Sequence, residues 1–157
     1  MIGRKKQGTA EKRGAMGHFT DAYYLKKLDS ALAKGDWEKA AGAVERSKSL
    51  KVARPAAEAA IEAGRWDELG NMMGRAERRS EEVGGYLRKQ FSRAKPSDVE
   101  RFRKDADVLL NFARYGNEDT TSAAEKAAAG EKEMGHVATS LAAWRREAGK
   151  KGEPRKR

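Results

Sequence analysis

An all-α fold is what this chain of 157 residues predicts, on three observations. Alanine supplies 27 residues while Val, Ile and Thr together supply 13, so helices are favoured and strands are not. Apolar residues return at the spacing of a helix face in successive segments punctuated by Gly or Pro. One local pattern also occurs twice, as ALAKGDWEKAAGAVERSKSL from Ala31 to Leu50 and as AIEAGRWDELGNMMGRAERR from Ala60 to Arg79. Each copy has an Ala-rich approach, a glycine (Gly35, Gly64), a polar residue, a tryptophan (Trp37, Trp66) and then an acid-led helical stripe. That is the pattern of two successive helical hairpins.

Taken in order, residues 1–17 mix Gly with Arg4, Lys5, Lys6, Lys12 and Arg13 and lack apolar periodicity, so they read as a disordered basic arm. A single all-helical domain is expected over residues 18–148. Thr20 fits an N-cap, with Phe19 and Tyr24 as a hydrophobic staple. The first helix then runs to about Lys34, burying Tyr24, Leu25, Leu28 and Leu32. Gly35 and Gly64 close helices, because glycine alone enters the left-handed region without strain. Asp36 caps the next helix. The buried stripes are Trp37, Ala40, Ala41 and Val44, then Trp66, Leu69, Met72, Met73 and Ala76. Pro55 suits the first position of the helix between them.

The remainder carries further helices. One has Val83, Leu87, Phe91 and Ala94 inside; Gly84 and Gly85 bend it or delay it by a turn, and Pro96 ends it. Ser97 and Glu100 form a capping box for a helix with Val99, Phe102, Ala106, Leu109 and Ala113 inside, stopped by Gly116. Ser122 and Glu125 form a second box for a short helix ending at Gly130. The last helix presents Met134, Val137, Leu141, Trp144 and Ala148. About seven helices result, followed by a second disordered basic tail, residues 149–157.

The segment ALAKGDWEKAAGAVERSKSLKVARP has a Gly-Asp-aromatic-acid turn, a small residue at Ala40 and Pro55 at its close. In these features it resembles the tetratricopeptide family and its looser helical-repeat relatives. The second copy matches through its turn, and the 29 residues between Trp37 and Trp66 fall short of the 34 usual in that family. The resemblance covers residues 20–79 and implies stacked helix pairs offering a concave surface to a partner.

Several function classes find no support. The chain has no cysteine, hence no disulfide, thiolate site or cysteine nucleophile. His18 and His136 lack metal-binding or nucleophile–base spacing, and read as surface or packing residues. Asp105 with Asp107, and Glu81 with Glu82, diverge on helices and read as solvated faces. The glycines match no phosphate loop. No apolar run reaches the length of a membrane span, and no hydrophobic leader opens the chain, so a cytoplasmic protein is expected. No enzymatic activity, cofactor, metal or small-molecule substrate is expected.

Charge is the functional lead. The net charge is +10, of which residues 1–17 hold +4 and residues 149–157 another +4. The second group comprises Lys150, Lys151, Arg155, Lys156 and Arg157 against one acid. The stretch from Arg75 to Lys104 adds a local +5, with Arg88, Lys89 and Arg93 on the outer side of the Leu87/Phe91 helix. Arg101, Arg103 and Lys104 extend it if the next helix packs alongside. Cations so arranged neutralise phosphates, and mobile basic arms order on nucleic acid. The expectation is a non-enzymatic subunit of a nucleic-acid-containing assembly, docked on protein through its body. RNA is favoured over DNA because no DNA-reading motif is present. A peptide-binding adaptor without a nucleic-acid role is the alternative. A membrane partner is not expected, since neither tail carries an apolar anchor.

Overall fold

Thr20 takes extended backbone, and its hydroxyl accepts from the Tyr23 N–H at 3.3 Å, opening α1 (Asp21–Ala33) where the capping pattern places it. The computed structural model describes residues 20–150, less the side chains of 144, 145 and 147–150. The basic arm 1–17, Phe19 of the staple, residues 151–157 and the Trp144 and Ala148 side chains lie outside the described residues. Among the described residues there are nine α-helices, one 3₁₀ turn and no strand, so the fold is all-α. Helices pack on one another throughout, in two compact units, one ending at Leu87 and the other beginning at Arg88.

The first unit holds α1, α2 (Trp37–Ser47), α3 (Leu50–Glu62), α4 (Trp66–Ala76) and the start of α5 (Glu81–Phe91). The duplicated sequence pattern becomes duplicated geometry. Gly35 and Gly64 have φ of 68° and 69°. In the first closure the Gly35 N–H reaches the Leu32 carbonyl at 3.1 Å and the Asp36 N–H reaches that of Ala31 at 2.8 Å. In the second, Gly64 reaches Ile61 at 3.0 Å and Arg65 reaches Ala60 at 2.8 Å. Both are the same left-handed closure, satisfying carbonyls that a helix end otherwise leaves bare. Asp36 then caps α2, its Oδ1 accepting from the Lys39 N–H at 3.1 Å. The predicted stripe of α4, Trp66, Leu69, Met72, Met73 and Ala76, is buried, and so are Ala40, Ala41 and Val44 on α2, whereas Trp37 at the head of the α2 stripe is half-buried. On α1, Leu28 and Ala31 are buried, whereas Tyr24, Leu25 and Leu32 are half-buried. Helix α2 packs against α1, α3 and α4.

Two expectations in this unit are corrected. Pro55 is not the first residue of its helix but the sixth. Ser49 caps α3 instead, accepting from the Lys51 N–H at 3.2 Å. The earlier start lets Val52 and Ala53 join Ala56, Ala57 and Ala60 on one buried face. The carbonyl that Pro55 cannot serve belongs to Lys51, an exposed residue. Gly84 and Gly85 do not delay α5, because the Ser80 hydroxyl accepts from the Val83 N–H at 3.2 Å and starts the helix at Glu81. Gly84 provides space instead: a Cβ there would come within 2.7 Å of the Glu77 Cα.

The second unit holds the end of α5, α6 (Pro96–Glu100), α7 (Ala106–Tyr115), α8 (Glu118–Gly130), a 3₁₀ turn (Lys132–Met134) and α9 (Gly135–Lys150). Phe91 and Phe112 are both fully buried, with ring centroids 5.0 Å apart. The helix expected from Ser97 to Gly116 is two helices. Pro96 opens the first, and Asp98 Oδ2 accepts from the Lys95 N–H at 2.8 Å in place of the Ser97–Glu100 box. Asp105 opens the second, accepting from the Val108 N–H at 3.2 Å. Each acid satisfies a bare N–H, which an unbroken helix would not require. Ser122 likewise lies inside α8 rather than at its start, and α8 has 13 residues. Its cap is Asn117, whose Oδ1 accepts from the Thr120 N–H at 2.9 Å. Met134, Val137 and Leu141 are buried as expected. Helix α9 continues through Gly149 and Lys150, the first two residues assigned above to the basic tail.

Candidate nucleic-acid interface

The first unit has an open groove of about 670 Å³ between α1 and α2, with α4 contributing Arg75. Its α1 wall is Tyr23, Lys27 and Ser30 with the C-cap residue Lys34, residues that recur at three or four and so share one face. The α2 wall includes Lys39, Gly42 and Arg46, again on one face. Lys27, Lys34, Lys39, Arg46 and Arg75 line the groove against a single acid, Glu38. Glu38 is answered by Arg75 at 2.9 Å. Among the described residues, Lys34, Lys39 and Arg46 enter no salt bridge with an acid. The groove floor is therefore short of negative charge.

Two tyrosines flank the cations. The Tyr23 and Tyr24 rings meet edge to face at 5.1 Å, and the Lys27 ammonium stands 5.5 Å from the Tyr23 ring centre. Tyr23, at 37 % exposure, is the exposed large hydrophobic side chain among the described residues. Burial pushes the Tyr24 phenol up, Tyr23 adds to the shift, and Arg46 opposes it. The phenol stays neutral at physiological pH. Arg46 lies back across α2, where a Cβ on Gly42 would be 3.1 Å from its Nη1.

Behind the groove, α4 is held to α2 by ions. Arg75 lies 2.8 Å from Glu45 as well as reaching Glu38, and Arg79 lies 3.0 Å from Glu45. The Arg75 hydrogen bond is the main cause holding Glu45 below its ordinary value; burial opposes it and Arg79 assists. At the second hairpin, Arg65 makes a two-pronged contact with Asp67 at 3.0 Å on each arm and reaches Glu68 at 3.0 Å. Burial works to raise Asp67, but the Arg65 hydrogen bond and charge outweigh it and hold the carboxyl low.

The cations singled out from sequence distribute differently. Arg4, Lys5, Lys6, Lys12, Arg13, Lys151, Arg155, Lys156 and Arg157 lie outside the described residues, and Lys150 is described only as the last backbone position of α9. Arg88, half-buried, and Lys89, exposed, lie on α5. Arg93 does not share their helix, because α5 ends at Phe91; it sits in the following turn with its Nη1 donating to Gln90 Oε1 at 2.6 Å. The stretch from Arg75 to Lys104 is not one cationic face. Arg75 and Arg79 are taken by Glu38 and Glu45, and Arg103 lies 3.2 Å from Glu100 and 2.9 Å from Glu131.

The groove residues Tyr23, Lys27, Lys34, Lys39 and Arg46 were missed because each looks like ordinary helix solvation in isolation. The signal was present as phase: positions 23, 27, 30 and 34 form a stripe beside the buried Leu28 and Ala31. No protein-family model, curated protein or solved structure matches the chain. Among the described residues no helix is long and apolar enough to cross a membrane, and no group of three or more His, Cys, Asp or Glu could hold a metal ion.

Proposed function

We propose that this protein is a non-catalytic helical subunit of a nucleic-acid-containing assembly, binding phosphate backbone, RNA in preference to DNA, while its helical body docks on protein. The observation that carries the reading is the set of cations in the α1–α2 groove that no acid neutralises. Charge concentrated in a concavity attracts polyanions more strongly than the same charge spread over a surface. The basic ends, from Arg4 to Arg13 and from Lys150 to Arg157, add sequence-independent contacts, as do Arg88, Lys89 and Arg93. A cytoplasmic location belongs to this proposal.

The test is a salt titration of the full chain against generic RNA and duplex DNA. Tight binding at low salt, with log K falling linearly against log salt, is expected. Absence of binding to either at low salt refutes the reading. The two matched hairpin closures at Gly35 and Gly64 favour a second reading, a peptide-binding adaptor of tetratricopeptide type. It expects no nucleic-acid affinity.

A further inference from the structure

Resting on the nucleic-acid reading, we infer that Gly42 and Arg46 form the phosphate seat of the α1–α2 groove: Gly42 leaves the space in which the Arg46 guanidinium is held ready for a backbone phosphate. Gly42 is the residue that needs a reason. It lies inside α2 between Ala41 and Ala43, where alanine would favour the helix and glycine weakens it. Gly35 and Gly64 take left-handed backbone, and Gly84 admits the Glu77 backbone. Gly42 does neither. The three atoms nearest to a Cβ at position 42 all belong to the Arg46 guanidinium, Nη1 at 3.1 Å, Cζ at 3.6 Å and Nη2 at 3.7 Å. No atom of a neighbouring helix comes as near, so a close approach of α1 is not the reason.

The place of Arg46 follows from helix geometry. A long helical side chain leans toward the N-terminus and covers the residue four back, which for Arg46 is Gly42. With no Cβ there, the guanidinium settles against α2 while Arg46 stays exposed to the groove. A side chain restrained in this way has already lost part of the rotamer freedom that binding would cost. Its donors are uncommitted: among the described residues Arg46 enters no salt bridge and donates no side-chain hydrogen bond. A guanidinium presents a planar fork of donors that fits two oxygens of one phosphate. Lys39 lies seven residues earlier on the same face of α2, and Lys27 and Lys34 line the α1 side, so phosphates adjoining the seat also meet cations. Glu38, the single acid of the lining, is held by Arg75 rather than by Arg46.

The experiment uses the full chain and a fluorescein-labelled oligouridine of about ten nucleotides, with anisotropy read across a salt series and the fold of each variant checked by circular dichroism. Arg46→Ala is expected to weaken binding about tenfold, the lower end for a charge-assisted hydrogen bond, and to flatten the log–log salt slope by about 0.7. Arg46→Lys keeps the charge but not the fork, so it should keep the slope and still bind more weakly than the parent. Gly42→Ala changes no charge. It should raise the melting temperature by about 2–4 °C, as alanine for glycine inside a helix does, yet weaken binding about two- to tenfold by unseating the guanidinium. Gly42→Ala combined with Arg46→Ala should bind no more weakly than Arg46→Ala alone, because the glycine acts through the arginine. If Gly42→Ala binds as the parent does, or weakens the Arg46→Ala protein as much as it weakens the parent, the seat is overturned. If the parent binds and Arg46→Ala binds unchanged, the seat fails while the nucleic-acid reading stands on the basic ends. Displacement of the RNA by polyglutamate, with Arg46→Lys equal to the parent, makes the groove a plain cationic surface open to acidic peptides and also overturns the seat. No RNA binding by the parent at low salt removes both.

Discussion

Asn117 is the residue on which the second unit turns, and its replacement separates two roles that a single deletion would merge. Its Oδ1 caps α8 by accepting from the Thr120 N–H at 2.9 Å. Its Nδ2 donates at 2.8 Å to two carbonyls, those of Ser92 and Ala94, in the turn between α5 and α6. One side chain thus ties the α7–α8 corner to a loop more than twenty residues away. Asn117→Ala removes both roles: loss of the cap costs about 1 kcal/mol, and two lost bonds to half-buried carbonyls cost about 0.5–1.5 kcal/mol each. The sum is about 2–4 kcal/mol, or roughly 4–16 °C in melting temperature for a chain of this size. Asn117→Ser keeps a capping oxygen but reaches neither carbonyl, so it should recover about 1 kcal/mol of that loss. Asn117→Asp keeps the cap yet turns a carboxylate toward two carbonyl oxygens. It should be at least as damaging as Ala at neutral pH and improve as acid protonates it. The assay is urea and thermal unfolding by circular dichroism, with hydrogen exchange of the α8 amides as the local readout. If Ser restores full stability, the clamp contributes nothing; if Ala costs under about 0.5 kcal/mol, both roles are wrong.

Other consequences follow from the same geometry. Gly35→Ala should cost about 1–2 kcal/mol in unfolding experiments, from left-handed backbone alone, because nothing lies within 4 Å of the added Cβ. The converse holds at Lys48, whose φ of 53° ends α2: Lys48→Gly should raise stability by up to about 1 kcal/mol. Glu45→Gln should cost about 1–2 kcal/mol at neutral pH, between exposed and buried pairs, since Glu45 and Arg75 are 19 % and 22 % exposed. Because the Glu45 carboxyl is held below its ordinary value in the folded chain, its contribution is complete above the unfolded value near pH 4 and is lost as pH falls through the folded one. The parent and Glu45→Gln melting curves should therefore converge in acid; a gap that persists there would place the cost in packing.

Much of the fold was legible because its signals are local. Thr20, Gly35, Asp36 and Gly64 each act through the backbone within a few residues, and each does so where the sequence places it. Where the structure departs from the pattern, a rival cap decides. Ser97–Glu100 and Ser122–Glu125 have capping-box spacing, yet Asp98 takes the Lys95 N–H three residues back, and Asn117 caps α8 while its amide clamps the distant Ser92 and Ala94. Gly84 reads as a bend or delay because the sequence does not reveal that Glu77 presses against it. The pairing of the cations was harder still. A run of cations such as Arg75 to Lys104 counts charge without showing who answers it, and Glu38, Glu45 and Glu131 answer three of its arginines.

The groove follows from the phase of α1 rather than from any motif. Once Leu28 and Ala31 turn inward, the residues a third of a turn away are committed to the rim, and these are Tyr23, Lys27, Ser30 and Lys34. On α2 the same holds: burying Ala40 and Val44 leaves Lys39 and Arg46 at the opposite rim. The α2 core face is built of Ala40, Ala41 and Ala43, which lets its neighbours come close without filling the space above. The acids at α2 are engaged: Glu45 turns toward α4, Asp36 caps α2, and Glu38, which lines the groove, pairs with Arg75. A helix pair that needed only solubility would gain from mixing both signs along this rim, as isolated cation pairs repel. Here the acids serve the scaffold and the cations are left to the groove.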